Sequence, residues 1–391
     1  MNRIWHRLSC NPKELNLGLV LSCGQSFRWK QSTQDPNTWV GVLNRKLWLL
    51  KQLDQGDIEY QTLVDTTEQK KSVKPTDPAK DRKIEEKTKS VKLAGLERED
   101  NETSEQKKSI DLTDPDKDFL TDYFQMNVKV EELYQKWSET DLFFQELETP
   151  FYGIRILRQD PVENLFSFIC SQNNNISRIS QLVEKLAEHY GDHIATFEGT
   201  KYYSFPTMEA LSKTGVEENL RKLGFGYRAK FIQKVAETVC GKENSVDWLF
   251  ELRAKPYKEA HSALCTLYGV GPKVADCVCL MSLDKHDAIP VDTHMWQVAA
   301  NQYLPHLKKN KNITDKAYKE IGDFFRQQFG EYAGWAQSVL FSSDLKKFES
   351  LKEEGKKKIA KRRHYEASDG VKKTKSTKGA GKKKPAKKKK K

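Results

Sequence analysis

Apolar and polar residues alternate over much of residues 19–64, which is the pattern of half-buried β-strands. The apolar runs 39–43 and 47–50 flank a short polar connection, Asn44-Arg45-Lys46. Two such runs around a short polar turn indicate an antiparallel hairpin. We therefore expect the N-terminal part of the chain to be rich in antiparallel β-structure.

The apolar period changes farther along the chain. In VKVEELYQKWSETDLFFQEL, residues 128–147, apolar positions recur at helical spacing. From there to about Asp344 nearly every segment has a helical pattern. The predicted fold class is α+β, with an antiparallel β-rich N-terminal domain before an all-α core.

Two segments lack the apolar residues that a packed core requires. Residues 66–109 hold almost no aromatic residues and many charges of both signs, and the C-terminal KKTKSTKGAGKKKPAKKKKK is of low complexity. Such segments bury too little apolar surface to offset the entropy lost on folding. We expect a disordered insert at about 66–110 and a disordered basic tail over 346–391.

Charge is distributed unevenly along the chain. The whole chain carries +12, but residues 352–391 hold 19 Lys or Arg against 4 Asp or Glu, a net of +15, so residues 1–351 carry −3. A nucleic-acid site in the body would therefore be a local patch, whereas the tail attracts phosphates regardless of sequence. Lysine runs also serve as nuclear import signals, or are simply solvated. We expect a nuclear protein, with an additional mitochondrial pool left open.

The cysteines and the apolar runs exclude several classes. Seven scattered cysteines indicate reduced thiols, and no C-x2-C pair exists to build a four-cysteine iron–sulfur site. No run approaches the roughly 18 apolar residues of a membrane helix, and the start MNRIWHRLSC lacks the apolar core of a signal peptide. We expect a soluble intracellular protein.

GVGPKVADC, residues 269–277, lies between two helical patterns. Glycine permits a positive φ and a close approach of the backbone, and the following helix presents free N–H groups to an anion. The stretch indicates a turn that grips a phosphate through Gly269 and Gly271. An ordinary helix–helix turn with a C-cap glycine is the alternative.

Lys273 stands in the first turn of the second helix, where the helix dipole disfavours a cation. One apolar helix later, AIPVDTHMW places Asp292 before a new helical pattern, where a simple N-cap is the ordinary role. A dehydrated lysine becomes a nucleophilic amine that can form a Schiff base. A carboxylate beside it would stabilise a cationic transition state, so the pair favours catalysis where each residue alone does not.

Four separated motifs carry a family resemblance. LYGVGPKVADC followed by VDTH resembles the helix–hairpin–helix and catalytic loop of the DNA glycosylase superfamily. SFICSQNNNISRIS at 167–180, GWAQSVLF at 334–341 and GQSFRW at 24–29 resemble the eukaryotic 8-oxoguanine DNA glycosylases. The chain departs from that pattern at Tyr268, where a proline is common, and at Pro272.

The resemblance covers roughly residues 5–64 and 114–345, and it implies a domain organisation. A β-rich domain with its insert would occupy 1–135, a two-part helix–hairpin–helix core 136–345 with the hairpin at about 257–282, and the tail the remainder.

By resemblance, the protein is a bifunctional glycosylase and lyase that removes 8-oxoguanine opposite cytosine from duplex DNA. Lys273 would attack C1′, and Asp292 would stabilise the sugar cation. A Schiff base and β-elimination of the strand would follow. The resemblance implies no cofactor and no metal, and damaged double-stranded DNA as the partner of a monomer.

The base pocket is also assigned by resemblance. Phe341 and Cys277 would sandwich the base, Gln337 would read its Watson–Crick edge, and the Gly24 carbonyl would accept from N7–H. Gln337 and Phe341 share a helical face, although a core position is the ordinary role of such a Phe. Cys277, four residues after Lys273, could form an ammonium–thiolate pair or be a small buried apolar residue.

The remaining candidates would contact DNA. By resemblance, Asn173 fills the space of the flipped base, Arg178 and Arg228 contact the orphaned cytosine, and Tyr227 wedges into the duplex. Asn173 belongs to the run Asn173-Asn174-Asn175, and the ordinary explanation of this run is that Asn175 caps the next helix. His294 would contact a phosphate, with a core histidine as the alternative.

Two other functions remain open from the sequence. A helix–hairpin–helix glycosylase for oxidised pyrimidines would share Lys273 and Asp292, but such enzymes usually carry an iron–sulfur cluster. A non-catalytic damaged-DNA-binding protein would keep the fold and lack the chemistry.

Overall fold

The computed structural model describes residues 4–63, 114–309, 311–355 and 357. The insert expected at about 66–110 and the tail from 358 onward lie outside these residues. Within them, no helix is both long and apolar enough to cross a membrane.

The N-terminal part is one antiparallel sheet of five strands in the order β1-β5-β4-β3-β2. The hairpin between β3 and β4 turns at Asn44 and Arg45, whose φ angles are 45° and 55°. Positive φ at both turn residues matches the right-handed twist of the flanking strands. The antiparallel β-rich prediction is confirmed, with strands β1 (His6–Leu8), β2 (Lys30–Gln31), β3 (Thr38–Leu43), β4 (Lys46–Gln52) and β5 (Ile58–Leu63).

Helices make up most of the rest of the described chain, which confirms the α+β class. The helices are α1 (Leu17–Val20), α2 (Pro115–Tyr123), α3 (Val130–Thr140), α4 (Leu142–Glu148), α5 (Pro161–Ser171), α6 (Ile176–Tyr190), α7 (Met208–Ser212), α8 (Val216–Lys222), α9 (Arg228–Cys240), α10 (Asp247–Glu251), α11 (Tyr257–Cys265), α12 (Pro272–Ser282), α13 (Thr293–Val298), α14 (Asp315–Phe329) and α15 (Ala333–Asp344). The helices from α3 onward share one large core, whereas α2 packs with the N-terminal sheet in a second cluster.

The helical region contains a β-hairpin that its pattern did not predict. Strands β6 (His193–Phe197) and β7 (Thr200–Tyr203) are joined by Glu198 and Gly199, both at positive φ. Ile194 and Ala195 pack on Val40 of the sheet. This second apolar layer explains why β3 is buried on both faces. Packing on the sheet also explains why residues 193–203 form strands although their local pattern predicts a helix.

The predicted tail begins later than residue 346. Lys346–Phe348 form a 3-10 turn, and residues 349–355 are helical. Phe348 is buried, with its ring centroid 6.2 Å from that of Phe151. One buried aromatic residue therefore ties the start of the predicted tail to the core.

Candidate active site

A cavity of about 610 Å³ lies where the N-terminal segment meets α12, α13 and α15. Its lining includes every residue predicted for the chemistry and for the base pocket, together with His294: Gly24, Lys273, Cys277, Asp292, His294, Gln337 and Phe341. These residues come from separate motifs of the sequence, and the fold brings them to one place.

Lys273 follows Pro272 in the first turn of α12 and is half-buried. Its Nζ lies 3.3 Å from Ser171 Oγ and 4.7 Å from the centroid of the Phe168 ring. The ring face attracts the ammonium and thereby offsets the unfavourable helix dipole. Phe168 and Ser171, both in α5, were missed as site residues, although they lie three apart within the quoted SFICS motif.

The Cys277 thiol is 2% exposed. Burial raises its pKa to about 12, although the Lys273 ammonium favours ionisation. The thiol therefore stays protonated at neutral pH, because desolvation outweighs the attraction of one half-buried cation. Burial therefore disfavours the ammonium–thiolate pair suggested by the four-residue spacing and favours the alternative, a small buried apolar residue in the pocket wall.

Asp292 is the N-cap of α13. Its Oδ1 accepts a hydrogen bond of 2.9 Å from the backbone N–H of Met295. Among the described residues, Oδ2 has no hydrogen-bond partner. The same side chain thus both caps the helix and lines the cavity, and its capping uses only one of the two carboxylate oxygens.

The Gly24 backbone faces the ring of Phe341. Its φ is +88°, and a Cβ there would lie 3.8 Å from Phe341 Cε1 and 3.3 Å from Ile176 Cδ1. Gln25 fixes this segment: Oε1 accepts from Leu157 N–H at 3.0 Å, and Nε2 donates to the Arg155 carbonyl at 2.9 Å. The position of the Gly24 carbonyl is therefore set by a buried amide.

Gln337 and Phe341 lie one turn apart on α15. The Gln337 side chain is 4% exposed, and its Nε2 donates weakly to the Pro290 carbonyl at 3.4 Å. Within the described part of the chain, Oε1 has no hydrogen-bond partner. His294 stands edge-on to Phe341 with ring centroids 5.8 Å apart, and its Nδ1 lies 2.8 Å from Asp344 Oδ2.

A second depression of about 560 Å³ collects the predicted duplex contacts Asn173, Arg178, Tyr227 and Arg228. Asn174 and Asn175 line both this depression and the larger cavity. Asn173 is exposed, with φ at +49°. Asn175 caps α6 by accepting from Arg178 N–H at 3.0 Å, so the capping explanation of Asn175 is confirmed.

Arg228 holds the loop after α5 in this structure. It is 7% exposed, and its guanidinium donates to the carbonyls of Gln172 at 2.9 Å and Asn173 at 3.0 Å. The Tyr227 hydroxyl donates to the same Gln172 carbonyl at 3.2 Å, and its ring is 45% exposed. Arg228 would have to release these carbonyls to contact a base, whereas Arg178 is already exposed.

The two hairpin glycines differ in what the fold requires of them. Gly269 has φ at +79°, and a Cβ there would lie 2.4 Å from the Phe231 ring. Gly271 has an ordinary φ of −96°, and a Cβ there would meet nothing within 4 Å. Gly271 also begins α12 without a side-chain cap, which leaves the first N–H groups free for an anion.

No group of three or more His, Cys, Asp or Glu side chains that could hold a metal ion occurs among the residues that the structure describes.

Two adjacent parts of the chain match known protein families. Residues 166–323 match the HhH-GPD superfamily of base excision DNA repair proteins. The chain is therefore a repair enzyme of the helix–hairpin–helix class. Residues 7–165 match the N-terminal domain of 8-oxoguanine DNA glycosylase.

Curated relatives and a solved structure agree with this assignment. The chain is 36% identical over 343 residues to N-glycosylase/DNA lyase OGG1 of Arabidopsis thaliana, covering 87% of this chain and 80% of that protein. It is 35% identical over 362 residues to N-glycosylase/DNA lyase of Saccharomyces cerevisiae, covering 87% and 86%. The structure of MBOgg1 in complex with a low affinity DNA ligand matches with a TM-score of 0.64, 27% identity, and coverage of 87% of this chain and 98% of that one.

The chain belongs to the family of 8-oxoguanine DNA glycosylases and is a DNA N-glycosylase and lyase. This family membership excludes the non-catalytic binding protein that the sequence alone left open.

Proposed function

We propose that the enzyme excises 8-oxoguanine from duplex DNA where the lesion lies opposite cytosine, and that it then cleaves the strand through a Schiff base on Lys273. The observation that carries this proposal is the 610 Å³ cavity, whose lining brings together the half-buried Lys273 amine, the Asp292 carboxylate, the Phe341 ring and the Cys277 thiol. The target base must leave the helical stack to reach such a cavity.

The chemistry follows from the two charged residues of the cavity. The Lys273 amine, once deprotonated, forms a bond to C1′ while the bond from C1′ to the base breaks and the base takes the electron pair. Asp292, with Oδ2 free, stabilises the positive charge on the sugar. The C1′–O4′ bond of the adduct then breaks as the amine nitrogen loses a proton and O4′ gains one, which gives the Schiff base. Loss of a 2′ proton then expels the 3′ phosphate by β-elimination.

Recognition of the lesion depends on the cavity walls. The base would stack between the Phe341 ring and the neutral Cys277 thiol, and Gln337 Oε1 is free to accept from its Watson–Crick edge. The Gly24 carbonyl accepts from the N7–H of 8-oxoguanine and would face a lone pair on guanine. One such donor–acceptor mismatch at a dry site is worth about 1–3 kcal/mol.

Residues outside the cavity would hold the duplex while the base is flipped. Asn173, Arg178 and Tyr227 lie together at the second depression, beside the cavity mouth, where an orphaned cytosine and a wedge residue are needed. Gly271 and the free N–H groups of α12 would hold a phosphate of the lesion strand. The basic tail would add sequence-independent attachment and nuclear import.

A competition between damaged duplexes tests this function. The enzyme is given 8-oxoguanine opposite cytosine, 8-oxoguanine opposite adenine, and thymine glycol opposite adenine in one mixture, with a lesion strand of different length in each duplex. The released bases are identified by mass spectrometry, and the cleaved strands are identified by their length. We expect 8-oxoguanine, released from its pair with cytosine. Release of thymine glycol first would favour the alternative, a glycosylase for another oxidised base.

Two lysine variants accompany that experiment. Lys273→Gln should release no base, whereas Lys258→Gln, which changes an exposed lysine on α11, should act as the unmodified enzyme does. Equal activity of both variants would contradict the assignment of Lys273.

A further inference from the structure

A buried carboxylate lies behind the cavity wall. Asp276 is on α12, immediately before Cys277, and it is 1% exposed. Each of its oxygens accepts a phenol hydroxyl: Tyr257 donates to Oδ1 at 2.6 Å and Tyr318 donates to Oδ2 at 2.5 Å. Burial raises the pKa of Asp276, whereas the two hydroxyls lower it. The mechanism proposed above does not use this network.

Tyr318 makes a second contact that Tyr257 does not make. Its hydroxyl oxygen lies 3.4 Å from the backbone nitrogen of Val291. A phenol has one proton, and Tyr318 donates that proton to Asp276, so its oxygen is left to accept from the Val291 N–H. Tyr318 on α14 thus joins the helix that carries Lys273 to the residue before Asp292.

The joined segment also contacts the base pocket. Pro290, one residue earlier, offers its carbonyl to Gln337 Nε2 at 3.4 Å. The segment 288–292 belongs to no helix or strand, so its position relative to α12 depends on such cross-links. Among the described side chains, Tyr318 is the one that hydrogen-bonds both Asp276 and this segment.

We infer that Tyr318 is a positioning residue, which sets the separation of the Lys273 amine and the Asp292 carboxylate by linking Asp276 to Val291. This inference rests on the function proposed above for Lys273 and Asp292. It adds to that function a residue that touches neither the base nor the sugar.

Tyr257 provides the matched control. Tyr257→Phe and Tyr318→Phe each remove one hydroxyl from the same buried carboxylate, and only Tyr318→Phe also cuts the link to Val291. We expect Tyr318→Phe to slow single-turnover base release by roughly 10-fold, because misplaced reacting groups lose large rate factors. Tyr257→Phe should stay within about 2-fold of the unmodified rate. Both variants should bind the lesion duplex with unchanged Kd and show similar losses in thermal stability.

A double-mutant cycle tests the link to Asp292. In an Asp292→Asn background, Tyr318→Phe should cause no further slowing, because the carboxylate that it positions is gone. Equal rate losses in the two Phe variants, or a full additional loss in the Asp292→Asn background, would overturn the inference.

The Lys273→Gln variant separates the two possible failures. If Lys273→Gln still releases base, the proposed function is wrong. If Lys273→Gln is inactive and Tyr318→Phe is as fast as Tyr257→Phe, only the role of Tyr318 is wrong.

Discussion

At the scale of single residues, Asp292 illustrates how the fold and the site share one side chain. Oδ1 caps α13 by accepting from Met295 N–H, and Oδ2 has no partner in the described part of the chain. An N-cap aspartate and an N-cap asparagine stabilise a helix about equally. The charge of Asp292 is therefore separable from its capping role.

Asp292→Asn should leave the free energy of unfolding nearly unchanged and lower the single-turnover rate of base release by about 100-fold, because a preorganised charge is lost from the site. Asp292→Ala should lose the same activity and, in addition, about 1 kcal/mol of stability with the cap. Urea unfolding and rapid-quench kinetics on both variants check this. A stable, fully active Asp292→Asn enzyme would remove Asp292 from the chemistry.

The sequence motifs predicted which residues line the pocket, but they did not predict the protonation of the Cys277 thiol or the hydrogen bonds of the Arg228 guanidinium. Lys273 and Gln337 were found because their motifs are local and their order along the chain matches a known pattern. The protonated Cys277 thiol and the buried Arg228 guanidinium depend on neighbours distant in sequence, such as the Gln172 carbonyl. The periodicity of apolar residues within one segment cannot predict contacts between residues that are distant in sequence.

At the scale of elements, the turn between α11 and α12 contains two glycines with different roles. The fold requires Gly269, whereas only a bound ligand would require Gly271. Gly269 is fixed by its positive φ and by the Phe231 ring. Gly271 has neither constraint, because its φ is ordinary and its side-chain position is open.

Gly269→Ala should destabilise the protein by about 1–3 kcal/mol, through backbone strain and the clash with the Phe231 ring. Gly271→Ala should change stability by less than about 0.5 kcal/mol, yet weaken binding to undamaged duplex, because the added methyl group faces the approaching phosphate. Thermal unfolding and fluorescence anisotropy measure the two effects. Unchanged DNA affinity of Gly271→Ala would contradict the phosphate grip.

An ionic cluster ties the segment after α1 to α5 and α6. Arg28 is 4% exposed and lies 3.1 Å from Glu184 and 3.6 Å from Glu163. Burial raises the pKa of Glu163 to about 7, although Arg28 opposes the shift. The folded protein therefore holds Glu163 protonated in a range where the unfolded chain ionises it.

This shift predicts a pH dependence of stability. The pKa of Glu163 is higher in the folded protein than in the unfolded chain. Its favourable contribution to the free energy of unfolding is therefore complete below the unfolded pKa of 4.5 and is lost as the pH rises through about 7. The unfolding free energy of the unmodified protein should fall relative to Glu163→Gln by on the order of 2 kcal/mol between pH 4.5 and pH 8. Urea unfolding of both proteins across that pH range measures this change. If the difference in unfolding free energy between the two proteins stayed constant with pH, Glu163 would have the same pKa in the folded and unfolded chain.

The β6–β7 hairpin is the element that the apolar pattern missed. Its strands carry little strict alternation, and the Glu198-Gly199 turn is its one local signal. Glu198 is held by Thr33, whose N–H and hydroxyl donate to it at 2.9 and 2.7 Å. The hairpin depends on the sheet that it covers, and that partner lies far away in sequence.

At the scale of the whole molecule, charge and specificity are carried by different parts of the chain. Residues 1–351 carry −3, whereas residues 352–391 carry +15. The cavity that would select the base contains a few charges at defined positions. Long-range attraction to DNA and choice of the lesion should therefore be separable.

Removal of residues 356–391 tests that separation. The slope of log affinity against log salt should flatten by roughly one unit for each phosphate that the tail no longer neutralises, and the identity of the excised base should not change. Filter binding over a salt series and analysis of the released base give the two readouts. A change in base preference would refute the division of roles.

The proposed reaction depends on a bond between the Lys273 amine and the sugar of the flipped nucleotide. The most direct measurement is borohydride trapping on a duplex with 8-oxoguanine opposite cytosine, followed by digestion and mass spectrometry of the cross-linked peptide. We predict one reduced adduct, located on Lys273. An adduct on Lys346 or Lys347, which line the same cavity, would show that Lys273 is not the nucleophile. Base release without any adduct would show that no Schiff base forms.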